Sequence, residues 1–213
     1  TIATLYTDFF RNTPLLVQFM FIHFGLQLGK HIQNIGVDIT SDLLTISSYL
    51  GPLDNIISPM IDYVKESLFG PGKRSYLSAI FALGLNSAAY QCETIRGAIA
   101  AIPSGQMEAG RSIGLTYMGT MRLIILPQAI RICIPPLGNE MVNLVLNSSL
   151  ASVIAYTELT RQGKLVVAIT FQIFWTWGMV MIAYFVVTWS LALLLRRLEE
   201  KTRIPGLGIS GGN

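Results

Sequence analysis

The chain has 213 residues, 52% hydrophobic and only 13% charged, with a formal net charge of +3 and a mean hydropathy of +0.53. Soluble domains average about 25% charged residues, so the composition excludes an ordinary soluble domain and indicates an integral membrane protein of several spans. So small a net charge is no nucleic-acid footprint, and Cys92 and Cys133, without metal-ligand neighbours, read as small buried hydrophobes.

In chain order, residues 2–28 read as the first span, with Asp8 and Arg11 near its start and His23 as a packed, hydrogen-bonded histidine. Residues 30–75 form a slightly acidic insertion, Lys30, Lys65, Lys73 and Arg74 against Asp38, Asp42, Asp54, Asp62 and Glu66. Gly51-Pro52 and Gly70-Pro71-Gly72 punctuate it with turns, and 54–68 predicts a short helix lying at a membrane interface. Gly70-Pro71-Gly72-Lys73 hints at a phosphate loop, but Ser67 and Arg74 occupy positions that need Gly and Ser or Thr, which excludes an ATP site there. Residues 76–102 form a second span carrying Asn86, Gln91, Glu93 and Arg96, groups costly in lipid that belong against protein or a watery path.

The stretch 108–127 is polar and basic between apolar neighbours. Gly114 and Gly119 break its helical runs, Pro127 ends it, and Met107, Ile113 and Met121 predict one small apolar face on a short amphipathic helix pair that projects into water. Residues 132–156 are the third span, interrupted by Pro135-Pro136 and dotted with Asn139, Glu140, Asn143, Asn147, Ser148 and Ser149. Residues 165–195, uncharged, are the last; at roughly 46 Å they exceed a ~30 Å hydrocarbon core and must tilt or protrude. Trp175, Trp177 and Trp189 suit the interfaces. The basic excess of the loop 103–131 and the tail 196–213 places both in the cytoplasm, with 30–75 outside. No paired His and carboxylate, Gly-x-Ser-x-Gly or metal-spaced cluster offers catalysis, which leaves recognition and coupling.

Glu108, Ala109, Gly110, Gly114, Ile124, Leu126 and Pro127 stand at the spacing of the cytoplasmic loop of bacterial ABC importer membrane subunits, with Gly110 in place of a second Ala, a small-for-small exchange expected to matter little. Together with Arg11-Asn12-Thr13-Pro14-Leu15-Leu16-Val17-Gln18, Glu93-Thr94-Ile95-Arg96-Gly97-Ala98-Ile99, Leu126-Pro127-Gln128-Ala129-Ile130-Arg131 and Pro135-Pro136-Leu137-Gly138-Asn139-Glu140, these make the chain resemble the polar amino acid permeases, HisMQ-like inner-membrane components of binding-protein-dependent transport. The likeness covers nearly the whole chain, least in 30–75. It implies an all-α polytopic bundle of the type I ABC importer transmembrane class with a cytoplasmic coupling helix, multi-pass in the bacterial cytoplasmic membrane, and one further span before Thr1. It also implies separate ABC ATPase subunits that hold ATP and Mg, a paralogous or identical permease, a solute-binding protein, membrane lipid and an amino acid substrate. The chain itself would carry no cofactor, no enzymatic activity and no nucleic acid. The insertion is then either a docking surface for the solute-binding protein or a lid over helix ends.

For coupling, the resemblance singles out Glu108, Ala109, Gly110, Gly114, Leu115, Leu126 and Pro127. Glu108 near a helix N-terminus would be favoured by the dipole, or would be an ordinary capping carboxylate. For the substrate, Arg96 offers a two-pronged donor and Glu93 an acceptor one turn earlier, unless the two simply pair with each other. Asn147, Ser148 and Ser149 follow a broken helix, and Thr13 and Gln18 join from the first span; helix-packing hydrogen bonds are the alternative for all five. Leu146-Asn147-Ser148-Ser149-Leu150 departs from the Lys-Asp-Thr-Ser-Leu of many relatives, and no carboxylate stands near Trp175. A pathway poor in fixed acids disfavours cationic amino acids, and with the tail Glu200-Lys201-Thr202-Arg203-Ile204-Pro205-Gly206 the chain looks like permeases for acidic and neutral polar amino acids. The same departures fit the half of an unlike pair that binds no substrate. An ion-coupled carrier and a membrane-embedded enzyme are the readings from other classes, and a need for ATP in uptake separates them.

Overall fold

Proline and left-handed residues, more than polarity, decide where the helices stop. In a computed structural model that describes residues 2–49, 51–70 and 73–202, α1 (Ile2–Asn12) gives way at Pro14, which has no N–H and bars Thr13 from helical backbone. Pro14, at φ −61° and ψ 129°, opens α2 (Leu15–Met20), which runs into a π-turn, Phe21–Gly25, closed by Leu26 N–H to the Phe21 carbonyl at 2.8 Å. The first predicted span is therefore divided at Thr13-Pro14. Gln27, left-handed at φ 48°, redirects the chain into α3 (Leu28–Ser48).

The insertion 30–75 is a hairpin of α3 with α4 (Asp54–Val64), which a second π-turn, Lys65–Phe69, extends. Sequence periodicity predicts only its second helix. Pro71 and Gly72 of the predicted Gly70-Pro71-Gly72 turn and the tail from Arg203 lie outside the described residues.

Next come α5 (Arg74–Ala100), α6 (Ser104–Ser112) and α7 (Tyr117–Thr120). A π-turn, Met121–Ile125, leads into α8 (Leu126–Asn147) and a 3-10 turn, Ser148–Ile154. Pro127 does not end this stretch. Leu126 N–H reaches back five residues to the Met121 carbonyl, and the widened turn accommodates a proline one residue later. Nor do Pro135 and Pro136 break α8; they lie inside it and leave only the Arg131 and Ile132 carbonyls without their usual helical donors. Residues Tyr117–Ile154 thus form one helical run of 38 residues. The last predicted span, 165–195, is in contrast two helices. Thr170 ends α9 (Leu159–Thr170), Phe171 sits left-handed at φ 56°, and α10 (Ile173–Thr202) follows. Tyr117–Ile154 and Ile173–Glu200 are long and apolar enough to cross a membrane, and Leu15–Gly25 is a shorter apolar helix. Among the described residues every regular element is helical.

Two compact units result, one of Thr1–Arg11, Ser87–Leu146 and Trp177–Asn213, the other of Asn12–Asn86 and Asn147–Thr176. In the second, Phe19 and Ile22 of α2 pack on Ala79 and Ala82 of α5 and on Ala151 and Ile154 of the 3-10 turn. The alanines permit the close approach that membrane helices use in place of hydrophobic exclusion. His23 Nδ1 lies 3.0 Å from Ser78 Oγ in the same unit, so it is a packed histidine. In the first unit, Ile102, Ile125 and Ala129 bury against Met107, Met121 and Ile124. Cys133 is buried as expected, but Cys92 is exposed on α5. Trp175, Met179, Phe185 and Trp189 of α10 are likewise exposed, as a helix facing lipid requires.

Candidate functional site

The stretch 103–131 folds into an elbow. The last turn of α6 closes as a Schellman motif: Leu115 N–H bonds the Gly110 carbonyl at 3.2 Å and Gly114 N–H the Arg111 carbonyl at 3.0 Å. Gly114 supplies the left-handed residue, at φ 89°. Thr116 then caps α7, its Oγ1 accepting from Gly119 N–H at 3.1 Å. A cluster of Met107, Met121, Ile124, Ile125 and Ile102 fastens α6 to the start of the long helix. Ile113 does not join the predicted apolar face; with Tyr117 and Met118 it points outward, Ile113 75% and Met118 69% exposed. Helical register explains the difference, because Ile113 falls in the turn, where the 3.6-residue period no longer holds.

Gly110 is buried, and a Cβ built there would stand 2.4 Å from Cγ2 and 2.8 Å from Oγ1 of Thr120, itself fully buried. Its exchange for the usual Ala is therefore a packing requirement of this elbow and not a neutral departure. Ala109 is exposed beside it, Leu115 is half-buried, and Leu126 and Pro127 open α8 at the surface. Glu108 sits in the middle of the nine-residue α6, whose first turn contains no acid. It neither caps the helix nor faces its dipole end. Its carboxylate is exposed and forms no ion pair among the described residues, as is true of Arg111 and Arg122.

The substrate candidates fall in two groups. Glu93 and Arg96 pair with each other on α5, Arg96 Nε donating at 3.0 Å, and Arg11 Nη1 stands 3.9 Å from the same carboxylate. Arg11 also lies over the Tyr90 ring, 5.5 Å from its centroid. In the other unit Gln18 Nε2 donates to Thr13 Oγ1 at 2.8 Å, and Asn86 Nδ2 donates to Gln18 Oε1 at 3.2 Å. Gln18 and Asn86 are both buried. Asn147 ends α8, with Ser148 and Ser149 half-buried on the 3-10 turn that follows; the helical break expected near them occurs here and not at the prolines.

Two polar residues of this interior stand outside the candidates read from sequence. Asn86 joins Gln18 across 68 positions, a separation that no local pattern reveals. Glu140, half-buried on α8, accepts from Ser87 Oγ at 3.1 Å, and Gln91 Nε2 bonds the same Ser87 hydroxyl at 3.0 Å. Glu140 is thus a half-buried acid in the same unit as Glu93, and an ionisable residue within a predicted span was its signal.

The polar, basic elbow runs directly into a helix long and apolar enough to cross a membrane. The family described as binding-protein-dependent transport system inner membrane component matches residues 1–204, and the chain belongs to it. The chain is 32% identical over 203 residues to the glutamine transport system permease protein GlnP of Escherichia coli, covering 95% of this chain and 75% of that one. It is 29% identical over 205 residues to the glutamate/aspartate import permease protein GltJ of the same species, covering 96% and 72%. It is 38% identical over 156 residues to the arginine transport system permease protein ArgU of Corynebacterium glutamicum, covering 73% and 41%. No solved structure matches the chain. The protein is thus an inner-membrane permease component of an ABC amino acid importer, a transport subunit and not a catalyst.

Proposed function

We propose that this permease imports a polar amino acid of the acidic or neutral class, driven by ATPase subunits that grip the elbow. The observation that carries the coupling is the elbow's construction: exposed Glu108 on a short helix, Ile113 in the turn after it and Met118 in the first turn of the 38-residue helical run to which that helix is fastened. Force applied there moves the long helix directly. Glu108, Ala109, Gly110, Gly114, Leu115, Leu126 and Pro127 are the coupling residues, with ATP and Mg on the partner. A second permease, identical or paralogous, completes the pathway, and a solute-binding protein delivers the amino acid from outside.

The substrate class rests on half-buried Thr13 with buried Gln18 and Asn86, uncharged donors and acceptors matched to a carboxamide or carboxylate side chain. Similarity to permeases for glutamine and for glutamate and aspartate supports it. Asn147, Ser148 and Ser149 are further substrate candidates in the same unit as Gln18 and Asn86, and in the other unit Arg96 and Glu93 offer a donor and an acceptor of the kind a zwitterion's carboxylate and ammonium need. Glu140 and the likeness to an arginine permease favour a second reading, a cationic substrate. Uptake of labelled glutamate and, separately, of labelled arginine into proteoliposomes holding the whole transporter tests both: glutamate enters and unlabelled glutamine or aspartate competes on the first reading, whereas only arginine enters, with lysine competing, on the second.

A further inference from the structure

The α3–α4 hairpin is built inside out. Its helices join through small and polar groups: Ser47 Oγ donates to Asp54 Oδ1 at 2.7 Å, Lys65 Nζ to Ser41 Oγ at 3.0 Å, and Gln33 Nε2 to the Phe69 and Gly70 carbonyls at 2.8 and 2.7 Å. These pairings run antiparallel. The buried row of α3 is Gly29, Gln33, Gly36, Thr40 and Ser47, and the Phe69 ring fills the space that a side chain at Gly36 would need. The large apolar residues face outward instead. Ile35, Ile39, Leu43 and Ile46 of α3 and Ile56, Met60, Tyr63 and Val64 of α4 are between 42% and 74% exposed.

At about 100° per residue, the four on α3 share an arc of roughly 80°, centred about 90° round from the buried row. The four on α4 share an arc of roughly 100°, set off by a similar angle in the same sense from the inward-facing Ile57 and Ile61. In an antiparallel pair, equal offsets turn both stripes to one side of the hairpin. Ile57, Ile61 and the Phe69 ring add apolar contact inside, but a small and polar inner row on α3 with the larger set of Ile, Met and Tyr outside is how helices pair where the surroundings are themselves apolar, and in water so large a patch would be a liability.

The occupant follows from continuity. Phe21, Phe24 and Leu26, exposed on and just after the apolar helix Leu15–Gly25, end one residue before the Gln27 kink, so the stripe prolongs the lipid-facing surface of an inner-membrane protein. The next helix in sequence, α5, begins at Arg74, whose Nε donates to Gln33 Oε1 at 3.0 Å, and ties the other end of the hairpin down. Lys30, Asp38, Asp42, Asp62 and Glu66 keep the helices from crossing the hydrocarbon. We propose that the hairpin lies flat on the outer leaflet, its Ile35–Ile39–Ile46 and Ile56–Met60–Tyr63 side sunk among lipid acyl chains. This rests on the membrane orientation given by the basic loop and tail.

The test uses the whole transporter in lipid nanodiscs, with Cys92→Ser and Cys133→Ser and one spin-labelled cysteine at Ile39→Cys, Met60→Cys or Asp62→Cys. Dissolved oxygen concentrates in lipid and a nickel chelate stays in water. Labels at 39 and 60 should relax several-fold more with oxygen than with nickel, and the label at 62 the reverse. Equal nickel access at all three positions overturns the proposal. So does nickel access at 39 and 60 that vanishes only when the binding protein is added, which would make this face a protein-docking surface. Uptake measured with the same variants is read separately: lost transport with lipid-exposed labels would count against the import reading alone.

Discussion

Gly110 and Thr120 interlock: the space where a Cβ would stand on α6 is occupied by the buried threonine side chain, 2.4 Å away at its nearest atom. That contact holds α6 close against the start of the long helix.

Gly110→Ala should therefore destabilise the elbow by about 1–3 kcal/mol, the usual range for overpacking. Thr120→Ala removes both clashing atoms, at the cost of the Thr120 Oγ1 bond to the Thr116 carbonyl, 3.1 Å long. The double variant should recover most of the loss. Thermal unfolding of the assembled transporter checks this; a Gly110→Ala variant as stable as the parent would mean that the elbow is looser than the packing indicates.

Gly114→Ala forces a side chain onto φ 89° and should cost about 1–2 kcal/mol. Gly114→Asn should cost less, because asparagine tolerates the left-handed region better. The order Gly, Asn, Ala in melting temperature and in ATP-driven uptake is the expected result.

Glu108→Gln should leave the melting temperature unchanged, because the carboxylate has no ion-pair partner among the described residues to lose. Uptake per ATP hydrolysed should fall. A lowered melting temperature with intact coupling would make Glu108 a fold residue only.

Arg96→Ala and Glu93→Gln separate the two readings of their pair. If Arg96 holds the substrate carboxylate, Arg96→Ala raises the KM for uptake far more than Glu93→Gln does. If the pair only joins helices, through Arg11 as the third member, both variants impair assembly alike and KM stays put. Gel filtration beside uptake kinetics tells them apart.

Gln18→Leu removes the donor to Thr13 and the acceptor of the Asn86 amide in a buried setting, which should cost about 1–3 kcal/mol. A changed preference among competing amino acids, beyond the lost stability, would mark the set as substrate-facing.

The elbow was legible because its signals are local. Gly114 is a left-handed terminator, and its five neighbours on each side carry the bonds it needs. The proline readings failed for a related reason: a π-turn ahead of Pro127 absorbs the missing donor, and a membrane helix with neighbours tolerates Pro135-Pro136. Phe171 broke the last predicted span because nothing in an apolar run announces a left-handed phenylalanine. Helix α3 escaped notice since its inward face is Gly, Gln, Thr and Ser, the inverse of the pattern that marks a soluble amphipathic helix. Pairings such as Gln18 with Asn86 and Ser87 with Glu140 depend on the fold alone.

The most direct measurement places a photocrosslinker at Met118→Cys, with Cys92→Ser and Cys133→Ser, in the complete transporter. The account predicts a covalent product with the ATPase subunit, its yield changing between the nucleotide-free and ATP-bound states. Crosslinks to lipid alone, or none to the ATPase in any nucleotide state, would contradict it.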